Sequence, residues 1–109
     1  MKLDRSMIEA DFRALIGPLC DAVGPSGFED EVADLLREQM AGYDVELSDD
    51  VMGNLIAYKK GNKKGSMLIS AHMDEIGLII RHIDKNGFLW GETLGGIAPQ
   101  QIFGKRVII

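Results

Sequence analysis

The stretch His72-Met73-Asp74-Glu75 sets an imidazole directly beside two carboxylates. In an extended chain alternate side chains share a face, so His72 and Asp74 point to one side and Glu75 to the other. A carboxylate next to an imidazole fixes its tautomer and raises its basicity, the arrangement that supports a metal-bound histidine. His72 is thereby a candidate ligand of a divalent metal, and Asp74 a candidate residue to orient it. The same pair also reads as an ordinary hydrogen-bonded surface pair at a strand end. One histidine and one carboxylate cannot complete a tetrahedral zinc site of three or four protein ligands. Spacing alone leaves both readings open.

Other reactive groups point less clearly to chemistry. Asp49-Asp50 suits a turn before a strand. Asp74 and Glu75, adjacent on a strand, face opposite ways and cannot flank one glycosidic bond at the required separation of about 5 to 9 Å. Gly24-Pro25-Ser26-Gly27 lacks the lysine and the glycine spacing of a phosphate loop. Cys20 falls near the apolar side of the first helix and is expected to be a buried, inert thiol. His82 reads as a surface residue, and the lysines at 59, 60, 63 and 64 as a solvated hairpin tip.

The elements that must position His72 follow from periodicity. Ile8, Phe12, Leu15, Ile16 and Leu19 recur at helical spacing, with a kink or restart expected near Gly17-Pro18. Ser26 and Glu29 have capping-box spacing for a second helix, whose acidic first turn suits the helix dipole and whose apolar face is Val32, Leu35, Leu36 and Met40, ending near Gly42. Strands are predicted around Val45 and Leu47 and over 54–59. The nearly continuous apolar run 66–71 has the pattern of a strand covered on both faces in an α/β sheet. That places His72 at a strand's carboxyl end, where ligands gather in such sheets. Beyond residue 75 the texture turns to hairpins, with a strand over 76–84, a turn at Lys85-Asn86-Gly87, a return over 88–92, a loop over 94–99 and a strand over 102–109. The predicted fold class is α/β, with a domain boundary near residue 75.

Composition limits the partners. The chain has 109 residues, 46% hydrophobic and 27% charged, with a net charge of -5, the balance of a globular domain and a poor one for a phosphate backbone. No nucleic-acid partner is expected. No apolar run approaches the roughly 18 residues that span a bilayer, and the start lacks a signal-peptide plan. The single cysteine forbids an internal disulfide and suits a cytoplasmic setting. Lys105-Arg106-Val107-Ile108-Ile109 stops inside an apolar, β-branched run, as expected of the opening piece of something longer.

Four motifs in register carry a resemblance. Ala71-His72-Met73-Asp74-Glu75-Ile76-Gly77 resembles the first metal-ligand motif of the M42 family of metallo-aminopeptidases, the glutamyl and tetrahedral aminopeptidase group. Gly24-Pro25-Ser26-Gly27-Phe28-Glu29 is similar to that family's helix start, and Asp50-Val51-Met52-Gly53-Asn54-Leu55 to its strand start. The stretch from Gly87 through Gly95-Gly96 to Val107 is similar to the opening of its inserted β-rich domain.

The resemblance implies that His72 is a ligand of a two-metal centre, zinc or cobalt, and that Asp74 orients it and supports catalysis on peptide substrates. It implies that residues 1–75 belong to the α/β catalytic domain and 76–109 to the start of an inserted PDZ-like or β-barrel domain used in dimerisation. The family's bridging aspartate, glutamate pair, further carboxylate and final histidine have no counterpart here, so the chain alone is expected to be an inactive N-terminal portion. The alternative is a non-catalytic remnant acting as an interaction module. In either case exposed β edges predict homo-oligomerisation or low stability.

Overall fold

The computed structural model describes residues 5–109, and the side chain of Ile8 lies outside what is described. Helix α1 runs over Arg5–Asp21 and α2 over Asp30–Met40. Strands β1 (Glu46–Asp49) and β2 (Leu55–Tyr58) form one antiparallel pair, and β3 (Gly77–Ile83) and β4 (Leu89–Leu94) another. A single-turn helix, α3, spans Pro99–Ile102.

Pro18 lies inside α1, which continues to Asp21. The proline removes one amide donor, and the helix ends three residues later, so the break expected at Gly17-Pro18 amounts to a single missing bond. Helix α2 begins with Asp30 and Glu31 in its first turn and carries Arg37 in its last, the charge order that suits its dipole. Arg37 reaches Asp34 at 2.6 Å and also pairs with Asp49, tying α2 to β1. These carboxylates raise the Arg37 pKa. Ile16 and Leu19 on α1 and Leu35 and Leu36 on α2 are half-buried, and the Gln39 side-chain amide donates to the Leu15 carbonyl at 3.1 Å. Ala22, Val32 and Ala33 are the buried apolar residues among those described.

In the β1–β2 turn, Asp50 accepts from the Met52 and Asn54 amides at 2.9 and 3.0 Å and from the Asn54 side chain at 2.7 Å. In the β3–β4 turn, Asp84 accepts from the Asn86 and Phe88 amides at 2.8 and 2.9 Å, and Gly87 takes φ +86°. The Asn-Gly turn signal therefore lands where expected. A bulge between Ile80 and His82 interrupts the ladder.

Two expectations about the sheets are overturned. No sheet among the described residues closes into a barrel, so the expected β-barrel insert is absent; the segment after residue 75 contributes one hairpin and a helical turn. Closure takes about five strands or more, and the strand expected over 102–109 does not form: the Lys105 amide bonds back to the Ile102 carbonyl at 3.0 Å, and residues 103–109 join no ladder among those described. Residues 66–71, expected as a covered central strand, form no strand and pair with no other among the described residues, with Met67, Leu68 and Ile69 each more than four-fifths exposed. An apolar pattern reports the burial a segment favours; a strand also needs a neighbour to accept its backbone bonds.

The result is an open molecule. It exposes 10218 Å² at 12.0 kDa, against about 6,000 Å² for a compact protein of that mass. Its radius of gyration is 18.7 Å, against about 13 Å. Cys20, expected to be buried, is exposed because α1 packs on α2 along another side.

Candidate functional site

The turn between the helices builds one wall of the site. Pro25 accepts from the Phe28 amide at 2.8 Å, and Gly27 takes φ +89°, the left-handed position a type II turn reserves for glycine. This turn is stitched to the segment after His72. The Glu75 amide donates to the Gly24 carbonyl at 2.8 Å, and Pro25 and Glu75 form a parallel bridge. The Glu75 side chain turns back to accept from the Gly24 amide at 3.4 Å. Close approach needs glycine on both sides of the seam. A Cβ on Gly24 would lie 2.6 Å from Val32 Cγ2, and one on Gly77 would lie 2.8 Å from Pro25 Cβ.

Held by that seam, Asp74 meets two partners. Its Oδ2 accepts from the Ser26 hydroxyl. Its Oδ1 lies 2.9 Å from His72 Nδ1, and the Asp74 carbonyl oxygen lies 2.9 Å from the same nitrogen. A carbonyl and an ionised carboxylate only accept, so Nδ1 carries a proton, and in the neutral form of the ring Nε2 then holds the lone pair, a tautomer assigned from its partners. The Ser26 hydroxyl above all holds the Asp74 carboxyl below its ordinary pKa; partial burial opposes it, and the His72 contact adds a smaller lowering.

His72 is exposed and Asp74 half-buried. Both line a cleft of about 210 Å³ with Glu29, Met52 and Asn54. The β1–β2 turn and the residue before α2 thus flank the pair. A larger cleft of about 440 Å³, lined by Val23, Pro25, Ile97, Ile102 and Ile108 among others, is mostly apolar and does not include His72 or Asp74.

The structure therefore brings His72 and Asp74 together and sends Glu75 away from them, as period-two geometry predicts. The spacing alone would not have sufficed. His82-Ile83-Asp84 repeats it, yet Asp84 is spent on its own turn, and no hydrogen bond joins His82 to it among the described residues. His82 is exposed. Asp49 faces Arg37, and Asp50 organises a turn.

Ser26 is the residue whose role the local pattern misassigns. It stands where a helix cap is expected, but α2 starts after Glu29 with no side-chain cap, and Glu29 bonds the Gly27 amide at 2.7 Å. Nothing in local spacing separates a capping serine from one whose partner lies 48 residues on.

As a partial metal site the residues fit: the imidazole has Nδ1 held by a carboxylate and, among the described residues, no hydrogen bond at Nε2. Among the described residues no three His, Cys, Asp or Glu side chains gather to hold an ion. His72 and Asp74 by themselves do not make a complete metal shell.

Residues 53–109 match the family model described as M42 glutamyl aminopeptidase. The lysyl aminopeptidase of Pyrococcus furiosus is 34% identical over 98 residues, covering 85% of this chain and 27% of that protein. Among solved structures, an aminopeptidase from the archaeon Desulfurococcus kamchatkensis superposes with a TM-score of 0.79 at 42% identity, over 85% of this chain and 26% of that one. A TET aminopeptidase from a marine sediment archaeon of the Thaumarchaeota gives 0.76 at 40%, over 84% and 26%. This chain spans 26% to 30% of the length of the first relatives it matches. With a family model over half its length and the His72-Asp74 motif inside the matched region, the chain belongs to the M42 family of aminopeptidases, which are metal-dependent hydrolases.

Proposed function

We propose that this chain supplies one histidine ligand, His72, and its orienting carboxylate, Asp74, to a divalent-metal aminopeptidase centre. The observation that carries the reading is the His72 imidazole with Nδ1 bound to Asp74 and Nε2 free at an open cleft. Zinc or cobalt suits an imidazole nitrogen paired with carboxylates, and the family's centre takes two such ions. When bound, such ions supply Lewis acidity toward a scissile carbonyl and lower the pKa of water to near neutrality. On this chain, Asp74 keeps the imidazole in one tautomer and supports its basicity. The cleft wall formed by Met52 and Asn54 confines a peptide's free N-terminal end beside it.

The remaining ligands and the proton-shuttling glutamate belong to residues this chain does not carry, so the 109 residues by themselves are inactive. Residues 1–75 form part of the catalytic domain and 76–109 the start of a second unit with a dimerisation role. Both long helices lie before residue 75, and the two hairpins belong to separate sheets on either side of it, which supports that division. The open surface and the free edges of the two hairpins support homo-oligomerisation. No helix among the described residues is long and apolar enough to cross a membrane. A cytoplasmic location rests on the unpaired Cys20.

Cobalt titration of the chain with labelled histidines tests the ligand. Paramagnetic broadening is expected at His72 and not at His82, and is expected to vanish in His72→Ala. Equal broadening of both rings, or none at His72, would remove it from the metal site; turnover of a leucine or glutamate anilide by the pure chain would overturn the claim of inactivity.

The exposed run Met67-Leu68-Ile69 favours a second reading, in which the chain is a non-catalytic module whose unpaired segment adds to a partner's sheet. Histidines indifferent to cobalt, together with a stable complex formed through residues 66–71, would favour it.

A further inference from the structure

We propose that Ser26 is a positioning residue for this centre: its hydroxyl pins Oδ2 of Asp74, so that Oδ1 stays on His72 Nδ1 and the imidazole presents Nε2. The metal part of this inference rests on the ligand reading above; the hold of Ser26 on the imidazole does not.

The proton inventory allows one arrangement. An ionised Asp74 only accepts, so the Ser26 hydroxyl donates to Oδ2 and His72 Nδ1–H donates to Oδ1. The chain of donors runs from both sides toward the carboxylate, which fixes its plane. Freed of Ser26, a half-exposed aspartate side chain rotates, and the largely exposed His72 ring loses one of the two acceptors that hold its Nδ1 proton, the Asp74 carbonyl oxygen remaining as the other.

Ser26 has no competing duty. The α2 N-terminus uses no side-chain cap, and Glu29 satisfies the Gly27 amide. The backbone places the hydroxyl: Ser26 is the residue before Gly27 in the turn closed by the Phe28 amide on Pro25, and that turn is bonded to Glu75 through Gly24. Three hydrogen bonds therefore join residues 24–26 to residues 74–75: one between backbones, one from the Gly24 amide to the Glu75 carboxylate, and the Ser26–Asp74 bond between side chains.

The test reads the His72 tautomer in the full 109-residue chain by long-range proton–nitrogen correlation at about pH 8, where an ordinary imidazole is neutral. The variants are Ser26→Ala, Ser26→Thr and Ser26→Val. Threonine and valine share a shape and differ by the hydroxyl, so their contrast isolates the bond from any effect on packing. The wild type and Ser26→Thr are expected to hold His72 mainly protonated at Nδ1. In Ser26→Ala and Ser26→Val the ratio of Nδ1–H to Nε2–H is expected to fall about fivefold, the change that loss of one ordinary hydrogen bond produces. His82 is the internal reference and should not move.

An unchanged ratio in Ser26→Val, or a Ser26→Thr chain that behaves as Ser26→Val does, overturns the proposal. So does a change that moves His82 equally, since that reports general loss of structure. Cobalt broadening in the wild type is scored separately. If cobalt leaves His72 untouched while the tautomer follows the hydroxyl, the ligand reading fails and the hold of Ser26 on the imidazole stands. If cobalt marks His72 and the tautomer ignores the hydroxyl, the reverse is true.

Discussion

Replacing Gly24 with alanine drives a methyl group into the small core. The new Cβ would sit 2.6 Å from Val32 Cγ2, whereas carbon atoms settle at about 3.5 to 4.0 Å. Roughly 1 Å must be found by moving Val32 or the Gly24–Glu75 seam. Gly24 does not occupy the left-handed region, so the cost is steric and not conformational. Overpacking of this kind costs about 1 to 3 kcal/mol, a large share of the stability of so open a chain. Val32→Ala removes the clashing methyl but forfeits burial worth roughly 1.6 kcal/mol, about 0.8 for each carbon lost. In the Gly24→Ala background that loss is partly offset by relief of the clash. Urea midpoints of the two single variants and the double variant are expected to show a coupling of about 1 kcal/mol or more, with the double variant more stable than the sum of the singles. Additivity within about 0.5 kcal/mol, the behaviour of independent sites, or a Gly24→Ala midpoint equal to the wild type, would refute the steric argument and with it the claim that close approach at this seam needs glycine at position 24.

Two further outcomes follow from the same structure. The Asn54 side chain and amide, with the Met52 amide, hold the Asp50 carboxyl below its ordinary pKa. The folded value lies below the unfolded one, so this contribution is present above the unfolded pKa and is lost as pH falls through the folded one; the Met52 and Asn54 amide signals should move in that acid range, and Asp50→Asn should abolish the step. An unaltered step in that variant would assign it to another group. The chain buries about six-tenths of the area that a compact domain of its mass buries on folding, so its urea slope should fall in the same proportion. X-ray scattering of the monomer should give a radius near 18.7 Å. A radius near 13 Å with a full slope would mean that the chain closes on itself.

Much of the local structure was legible because its causes are local. The apolar spacing of Val32, Leu35, Leu36 and Met40 and the acidic first turn foretold α2, and Asn86-Gly87 foretold the second hairpin. The pairing of His72 with Asp74 follows from alternation in an extended chain. What failed depends on distant partners. Residues 66–71 carry the composition of a central strand, but a pattern cannot state whether neighbours are present. The β-barrel expected after residue 75 came from family resemblance, and a hairpin with one helical turn does not build it. Cys20 is exposed because burial on α1 depends on which side α2 takes. Ser26 looked like a cap because its true acceptor is remote in the chain.

The parallel bridge between Pro25 and Glu75 has a kinetic consequence. Its two ends enclose about fifty residues, and gathering a flexible loop of that length costs about 3.5 kcal/mol in closure entropy beyond a constant. Both hairpins and both helices assemble from near neighbours and do not wait for that event. The imidazole and its carboxylate are thus adjacent from the outset, while the serine that braces them arrives only after the long loop has shut. Contacts of such high order form late and open early, so this chain acquires its local architecture before its chemistry.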